Sequence, residues 1–381
     1  MQKTFDEVVL FARTGLNPRQ NFKLGQGNNY YITIKNIKNN SLVIDDNTDV
    51  VNDEAIKLIH KRSQIKKGDI LFASIGRMGD MYIIEEEPMV WDINESVFAF
   101  TLDTSIVRQK YFYYIFRVKS TLDYLASNSS GSTFKSIKMN QLKKMKFEIP
   151  ALDKQDQIVA VLDKICNIIE MRKQELGSLD DLIKARFVEM FGDSASNEKG
   201  WKMNTFGDIC TVRQGLQIPI SKRLTEYEED SYEYITVQYL HGGKEKEYIK
   251  SPKESVKCTK DDILMTRTGN TGMVVTNVEG VFHNNFFLID FDRERFEKDF
   301  LVEYLNLDLI QADITRRAGT STIPDLNHGE FYKIKVFEPP IDLQKEFDEF
   351  KMQVDKSKVA VQKALDETQT LFDSLMQEYF G

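Results

Sequence analysis

Residues 69–76 read DILFASIG and residues 262–269 read DILMTRTG, so an Asp-Ile-Leu run precedes a glycine at the same distance in two distant parts of the chain. Position 69 thus corresponds to position 262 in a sequence of 381 residues. A self-similarity with a period near half the chain is typical of an internal duplication. It predicts two related units, and the length is too great for one ordinary domain core.

Further matches with nearly the same offset lie on both sides of these stretches. They comprise strand-like runs, turn glycines and short motifs that close each half. The pairs are ITIKNI from Ile32 and ITVQYL from Ile235, Gly15 and Gly215, Gly131 and Gly319, FEIP (147–150) and FEPP (337–340), and Phe-Gly at 191–192 and 380–381. Duplication of one ancestral unit is the simplest account.

Each half has two parts with different patterns. Before FEIP or FEPP, short β-rich runs alternate with turn residues and one helical stretch, which predicts a mixed α/β head. After each proline the pattern becomes helical, and proline suits the first turn of a helix. The predicted segments are a first head at 1–149, a first spacer helix at 150–192, a second head at 193–338 and a second spacer helix at 339–381.

Both helical segments carry apolar residues at heptad spacing, which predicts an α+β fold whose two long helices pair as an antiparallel coiled coil. Two separate amphipathic helices, each packed on its own head, are the alternative. Gly177 lowers helix stability in the first segment, so a kink or break there is a second open question. The apolar rows are Leu162, Ile169, Leu176, Ile183 and Met190 with Ile158, Ile165 and Leu179, and Phe347, Val354, Val361 and Leu375 with Leu365, Phe372 and Tyr379.

This order of head, helix, head and helix resembles the specificity subunit of type I restriction-modification systems over nearly the whole chain. The matching residues are the paired DIL-to-glycine segments, RTGNTG at 267–272, the glycine loops before FEIP and FEPP, Gln155, Gln344 and Gly200-Trp201. The first SIGRMG is a weaker match than RTGNTG, and the first head has no equivalent of Gly200-Trp201.

The resemblance implies that each head is a target-recognition domain that reads one half of a bipartite site in double-stranded DNA. It also implies that the helices set the spacing of the heads and dock methyltransferase (modification) subunits, two per chain. Restriction/translocase subunits would be further partners. The chain itself is then a non-catalytic specificity subunit without a cofactor, and its expected location is the cytoplasm.

The charge distribution gives mixed support for DNA binding. The net charge of −8 argues against it, but residues 1–149 carry 21 lysines and arginines against 17 acidic residues. Residues 200–338 carry 18 against 23. Affinity for DNA depends on local contacts of Lys and Arg with phosphates, whereas sequence is read at base edges. The first head is therefore basic. To bind DNA, the second head would need a local cluster of Lys and Arg, or phosphate contacts supplied by a partner subunit.

Loops that combine glycine with hydrogen-bond donors supply the candidate contacts, because glycine lets the backbone approach a partner closely. The charge run that includes Lys61 and Arg62 suits a solvated surface equally well. For Arg77 and Arg267, a tight hairpin that needs glycine is the competing interpretation. The candidate DNA-binding residues are Arg13, Asn17, Arg19, Lys61, Arg62, Arg77, Lys135, Lys138, Arg213, Gln217, Arg267, Arg316 and Arg317.

The sequence offers no catalytic constellation. GRMGD and GNTG lack the GK[ST] ending of a phosphate-binding loop, and Glu338 precedes Pro339-Pro340 where a methyltransferase motif would need a different residue. The histidines and cysteines do not show metal-ligand spacing, so we expect no metal site. They are His60, His241, His283 and His328, and Cys166, Cys210 and Cys258.

Two other functions remain open. One is the specificity component of a different multisubunit restriction enzyme, which the sequence cannot separate from the first interpretation. The other is a coiled-coil adaptor between proteins with no role on DNA. No stretch has the roughly 20 consecutive apolar residues that a membrane-spanning helix needs, so a membrane partner is not expected.

Overall fold

The computed structural model describes residues 1–38, 41–131, 135–193, 196–240, 242, 245–319 and 324–381. His241 and parts of the SSGST and RAGTS loops lie outside the described residues. The chain divides into two compact units. The first unit comprises Met1–Arg172 with Ala364–Gly381, and the second comprises Lys173–Lys363. Each unit therefore combines one head with parts of both long helices.

The first head begins with a strand and ends with a strand that pairs with it, and a long helix follows. Its elements in chain order are β1 (Gln2–Thr4), α1 (Phe5–Val8), β2 (Val9–Thr14), β3 (Asn29–Ile32), β4 (Ile37–Lys38), β5 (Ser41–Leu42), β6 (Val50–Val51), α2 (Asp53–Ser63), β7 (Ile70–Ala73), β8 (Met81–Ile83), β9 (Trp91–Ile93), β10 (Val97–Leu102), α3 (Gln109–Ile115), α4 (Lys119–Ser127), α5 (Met139–Leu142), β11 (Lys146–Glu148) and α6 (Leu152–Phe191).

The second head follows the same plan with different connections. Its elements are β12 (Lys202–Thr205), α7 (Phe206–Ile209), β13 (Cys210–Gln214), a 3₁₀ helix (Ile220–Lys222), β14 (Ser231–Ile235), α8 (Val237–Leu240), β15 (Tyr248–Lys250), a second 3₁₀ helix (Glu254–Val256), β16 (Lys257–Cys258), β17 (Ile263–Thr266), β18 (Val274–Val275), β19 (Gly280–Phe282), β20 (Phe286–Phe291), α9 (Lys298–Asn306), α10 (Asp308–Ala318), α11 (His328–Tyr332), β21 (Lys335–Glu338) and α12 (Ile341–Phe380).

The main sheet of each head and the strand pair that closes each head have the same strand order in both halves. An antiparallel four-stranded sheet has the order β2-β10-β7-β8 in the first head and β13-β20-β17-β18 in the second. A parallel pair, β3 with β9 or β14 with β19, contributes to another sheet. The first and last strands of each head close it by antiparallel pairing, β1 with β11 and β12 with β21. The predicted duplication is thus present in the topology.

The turn glycines matched across the repeat occupy the same crowded place in both heads. A Cβ on Gly15 would lie 1.6 Å from the carbonyl oxygen of Ile93, and one on Gly215 would lie 2.3 Å from that of His283. Any side chain there would push the chain away from the neighbouring strand. Both turns are therefore fixed by close backbone approach.

An aromatic core underlies the four-stranded sheet of each head. In the first unit, Phe72, Phe100 and Phe112 are fully buried together with residues of α6 and α12. In the second unit, Phe287 and Phe300 are fully buried with residues of the same two helices. The helices are thus part of the core of each unit, since their apolar faces cover the heads.

The two long helices also pair with each other inside each unit, in antiparallel order. In the second unit, Lys358 forms an ion pair with Asp180 at 2.5 Å, and Arg186 pairs with Glu346 at 2.9 Å. In the first unit, the Arg172 guanidinium donates to the carbonyl oxygen of Ala364. Every residue of the predicted apolar rows is buried or half-buried. The predicted antiparallel pairing is confirmed, and the helices pack on the heads as well.

Helix α6 continues through Gly177 without a break over its 40 residues. A Cβ at this glycine would meet no atom within 4 Å, so no close packing requires glycine at this position. The cost of one glycine in a helix, about 1 kcal/mol relative to alanine, is small beside the apolar contacts on either side. Packing therefore outweighs the local propensity.

Each long helix is joined to its head by a buried glutamine. Gln155 lies in the first turns of α6 and is fully buried. Its amide nitrogen donates to the carbonyl oxygens of Ile106 and Pro150, at 2.8 Å each. Its amide oxygen accepts from the backbone N–H of Arg108 at 2.8 Å. One side chain thus satisfies three backbone groups of the segment that leads into α3 and of the turn before α6.

Gln344 makes the same three contacts at the start of α12, and it is also fully buried. Its amide nitrogen donates to the carbonyl oxygens of Arg295 at 3.0 Å and Pro339 at 2.9 Å. Its amide oxygen accepts from Glu297 N–H at 2.9 Å. We call Gln155 and Gln344 with these partners the glutamine clamps. Their recurrence in both halves indicates a joint that the duplication preserved.

A carboxylate of α12 is buried against the second head. Burial, and then the nearby carboxylates of Asp299 and Glu297, raise the pKa of Asp348 to about 7, against the opposing charges of Lys351 and Lys298. Among the described residues, Asp348 Oδ1 has no hydrogen-bond partner. A carboxylate in this place is costly when charged, because burial disfavours the ionised form.

We expect replacement of the first clamp residue, Gln155→Leu, to lower the free energy of unfolding by about 2–4 kcal/mol, because three buried backbone groups lose their partner. Gln157→Leu is the matched control, since Gln157 is exposed on the same helix and should leave stability nearly unchanged. Urea unfolding followed by circular dichroism measures both. Equal stabilities of the two variants would contradict the clamp.

Asp348→Asn should stabilise the protein at alkaline pH. The folded-state pKa of about 7 lies above the ordinary 3.8, so the parent loses stability as the pH rises through this range. At pH 8 we expect the variant to exceed the parent by about 1–3 kcal/mol in free energy of unfolding, with the difference shrinking toward pH 4. Urea titrations at several pH values, with the exposed Glu349→Gln as control, test this. A pH-independent difference would refute the titration of Asp348.

Candidate DNA interface

The structure brings three of the predicted residues together beside helix α2. Arg13, on β2, donates to Asp69 Oδ2 at 2.9 Å and to the carbonyl oxygen of Gln64 at 2.8 Å. Arg62 donates to the hydroxyl of Thr14 at 3.3 Å, and Lys61 is exposed next to it. Only 16% of the Arg13 side chain is exposed. The Arg13 side chain is therefore engaged in an internal ion pair with Asp69, whereas the side chains of Lys61 and Arg62 lie on the surface.

A second group forms where the turn after β7 meets the segment before α5. The backbone N–H of Gly76 donates to the carbonyl oxygen of Lys135 at 3.1 Å, and Gly76 has a φ of 72°. Arg77 follows in the turn and pairs with Asp80 at 3.3 Å. Lys135 and Lys138 are exposed, and neither has an ion pair within the described ranges. The turn glycine and the basic residues thus belong to one surface.

Asn17 and Arg19 lie in the loop after Gly15. Asn17 is half-buried and its carbonyl oxygen accepts from the Asn21 side chain at 2.9 Å, whereas Arg19 is exposed. The loop is fixed at its start by Tyr31, whose hydroxyl donates to the Leu16 carbonyl oxygen at 2.7 Å. The contacts found among the described residues join Asn17 and Arg19 to neither of the two groups above.

The second unit places Arg213 and Gln217 in the equivalent strand and loop. Arg213 donates to the carbonyl oxygen of Ser255 at 3.1 Å, so it contacts the 3₁₀ helix at Glu254–Val256. Gln217 is exposed. The loop is again tied by a tyrosine, since the Tyr234 hydroxyl donates to the Leu216 carbonyl oxygen at 2.7 Å.

The turn after β17 meets the segment before α11 as its counterpart does in the first unit. Leu326 N–H donates to the carbonyl oxygen of Arg267 at 2.9 Å. The Arg267 guanidinium makes two hydrogen bonds to Asp325, at 2.9 and 2.8 Å. The preceding backbone group, Asp325 N–H, donates to Ala318 at the end of α10. Arg267 therefore lies beside the helix that carries the next two predicted arginines.

Arg316 and Arg317 differ in their surroundings. Arg317 pairs with Asp313 at 2.7 Å and with Glu330 at 3.3 Å, and 17% of its side chain is exposed. Arg316 also pairs with Asp313, but 70% of its side chain is exposed. The acidic partners offset the positive charge of this group. Arg316 is the better placed of the two for an external contact.

Sequence reasoning missed one basic residue, Lys57, because it stands apart from the charge run. In helix α2 it lies four residues before Lys61 and therefore on the same face. Both line a groove of about 880 Å³ between α2 and the segment that holds Met89 and Trp91. The spacing of four within a helical pattern was the signal that could have identified Lys57.

Within the described ranges, no group of three or more His, Cys, Asp or Glu side chains is arranged to hold a metal ion. All three cysteines are free. Burial raises the pKa of Cys210 and of Cys258 to about 12, so these thiols stay protonated at neutral pH and are poor nucleophiles. No helix in the described part of the chain combines the length and apolar character needed to cross a bilayer.

The sequence matches the family model described as type I restriction modification DNA specificity domain twice, over residues 2–180 and 198–368. The two matches coincide with the two halves of the repeat.

Similar proteins bear names from the same family. Over 193 residues the chain is 28% identical to the type I restriction enzyme MjaIX specificity subunit of Methanocaldococcus jannaschii, which covers 46% of this chain and 43% of that protein. It is 32% identical over 104 residues to a putative specificity subunit, S.HindORF215P, of Haemophilus influenzae, over 27% of this chain and 26% of that one. The alignments thus span less than half of these curated relatives.

The fold is similar to that of a solved structure, the type-I restriction-modification system S subunit from M. genitalium. The TM-score is 0.59 at 17% sequence identity, and the match covers 100% of this chain and 96% of the other. The predicted fold class is therefore confirmed.

We expect Arg317→Ala to lower stability by about 1–2 kcal/mol, because two partly buried carboxylates, Asp313 and Glu330, each lose one of their two cationic partners. Arg316→Ala should change it by less than about 0.5 kcal/mol, since exposed ion pairs contribute little. Thermal unfolding of the two variants gives the comparison. If Arg316→Ala lost more stability than Arg317→Ala, the assignment of Arg317 to a structural role and of Arg316 to the surface would be wrong.

Proposed function

The chain belongs to the type I restriction modification DNA specificity family, and from this premise we propose that it is the specificity subunit of such a system, each head reading one half of a bipartite DNA site. The observation that carries the proposal is the pair of heads with a common main sheet but different connecting segments and different net charges. The shared sheet places the proposed DNA-contacting loops at equivalent positions in both heads. Different loops let them read different bases.

The long helices are proposed to set the spacing between half-sites and to dock methyltransferase subunits, two per chain. Each helix has 40 residues, or about 60 Å at 1.5 Å per residue. Each is held to a head by a glutamine clamp, which suits a spacer that must fix the orientation of the heads. The segments 1–149, 150–192, 193–338 and 339–381 are the proposed functional modules.

Methylation and cleavage are assigned to partner subunits, with this chain as a non-catalytic member in the cytoplasm. Restriction/translocase subunits are the further proposed partners. The absence of a catalytic motif in the sequence supports this division, as do the names of the relatives. A coiled-coil adaptor without a DNA role would not account for two matches to a DNA specificity family.

Exchange of the first head should change one half-site only. We would replace residues 1–147 with the corresponding head of another family member, co-purify the chimera with the methyltransferase partner and map the methylated bases. The half-site read by the second head should stay the same, because its loops are untouched. The purified chain alone, which should methylate nothing, is the control.

A chimera that folds and binds its partner but changes both half-sites would contradict the modular assignment. Methyl transfer by the rigorously purified chain alone would contradict its non-catalytic role. If the parental complex shows no sequence-selective methylation, the adaptor function gains support.

A further inference from the structure

Helix α2 and the turn after it carry a group of exposed lysines in the first unit. Its inner face is buried through Ala55, Ile59 and Ser63. The outer face carries exposed Lys57 and Lys61, about 6 Å apart along the axis at 1.5 Å per residue. The turn to β7 adds two more exposed lysines, Lys66 and Lys67. We call these four lysines the α2 lysines.

Within the described ranges, none of the α2 lysines takes part in an ion pair. Three carboxylates line the groove beside these lysines. Asp92 is fully buried against His60, with 3.0 Å between His60 Nδ1 and Asp92 Oδ2, and Asp53 accepts from the Asn29 side chain at 2.9 Å. Glu87 accepts from the backbone N–H of Lys67 at 3.3 Å. Among the described residues, the lysine ammonium groups are therefore not neutralised by ion pairs, and Glu87 is the carboxylate that offsets part of their charge.

In the described part of the second head, no helix like α2 occupies the equivalent place. Arg13 contacts Gln64, the residue that follows α2, whereas Arg213 contacts Ser255 of a three-residue 3₁₀ helix. The next lysine there, Lys257, pairs with Glu254 at 2.5 Å. The two heads thus share the main sheet but differ in the element that contacts the arginine of β2 in one head and of β13 in the other.

The groove beside α2 has chemistry suited to a DNA strand. Lys57, Lys61 and Lys66 line one side, and Met89 and Trp91 line the other. The groove has a volume of about 880 Å³. Lysines attract phosphates, while the apolar side offers contact to sugars.

We propose that the first head supplies most of the salt-dependent affinity for DNA through the α2 lysines, and that the second head contributes little to it. This inference rests on the proposed function and assigns an unequal division of labour to the two heads. Phosphate contacts by the α2 lysines hold the complex on any duplex. The second head then adds selectivity with little nonspecific affinity.

A simpler account treats the α2 lysines as a solvated surface. The negative end of the helix dipole favours cations in the last turn, which explains Lys61. It does not explain Lys57 in the middle of the helix, or Lys66 and Lys67 beyond its end. The solvated surface predicts no special effect of these residues on DNA binding, so the two accounts differ in a measurable quantity.

The test compares the salt dependence of DNA binding by three charge-matched variants of the full chain in complex with its methyltransferase partner. The probe is a duplex that carries the methylated site. The first variant changes Lys57, Lys61, Lys66 and Lys67 to Gln, which has similar helix propensity. The second changes Lys119, Lys143, Lys144 and Lys146 of the same head to Gln, and the third changes Arg213, Lys253, Lys257 and Lys260 of the second head to Gln.

Each phosphate contact contributes about 0.9 to the slope of log K against log salt concentration. We expect the α2 variant to lose about two to four from the magnitude of this slope, and the other two variants to lose less than about one. Unfolding curves of the two first-head variants should match the parent, because their replaced side chains are exposed. The second-head variant also loses the contacts of Arg213 with Ser255 and of Lys257 with Tyr232, so its DNA binding is measured at a temperature at which its unfolding curve shows it folded.

A slope for the α2 variant equal to that of the other two would overturn the proposal, as would an equal loss from the second-head variant. Failure of the parental complex to select any DNA site would instead refute the proposed function, and the inference with it. The two failures are distinguishable, because only the second affects the parent.

Discussion

The structure depends on the joint between each head and its long helix. A helix of 40 residues can specify a distance only if its first turn is fixed to the body that it carries. The glutamine clamps do this with one buried amide each, which satisfies two carbonyl oxygens and one N–H. Buried backbone groups are costly without partners, so each joint has one favoured geometry. The same joint occurs once in each unit.

Much of the architecture could be predicted from the sequence, because its signals are local. The repeat appeared in short motifs such as DILFASIG, and the heptad rows identified both long helices with their antiparallel pairing. Gly177 was the uncertain point, since propensity favours a break there. Helix α6 continues through it because packing of residues such as Leu162 and Ile183 stabilises the helix on both sides.

The candidate interface was less predictable, because the availability of a charged side chain is decided by partners distant in sequence. Arg13 and Asp69 are 56 residues apart, and Arg267 and Asp325 are 58 apart, so no local pattern reveals that these arginines are already paired. The run that includes Lys61 and Arg62 suits a solvated surface and a phosphate contact equally well, and the helix that carries Lys61 holds one further lysine, Lys57, on the same face.

Some positions are the same in both halves because the fold requires those residues, whereas other segments differ because the fold constrains them less. A Cβ on Gly15 or on Gly215 would lie under 3 Å from the facing backbone, and the hydroxyls of Tyr31 and Tyr234 make the same hydrogen bond in each head, so changes there would disrupt both sheets. The segments between β3 and β7 and between β14 and β17 meet weaker constraints, since much of their surface is exposed. There the halves diverged into helix α2 on one side and a 3₁₀ helix on the other. A duplicated head can therefore acquire a different surface without a different fold.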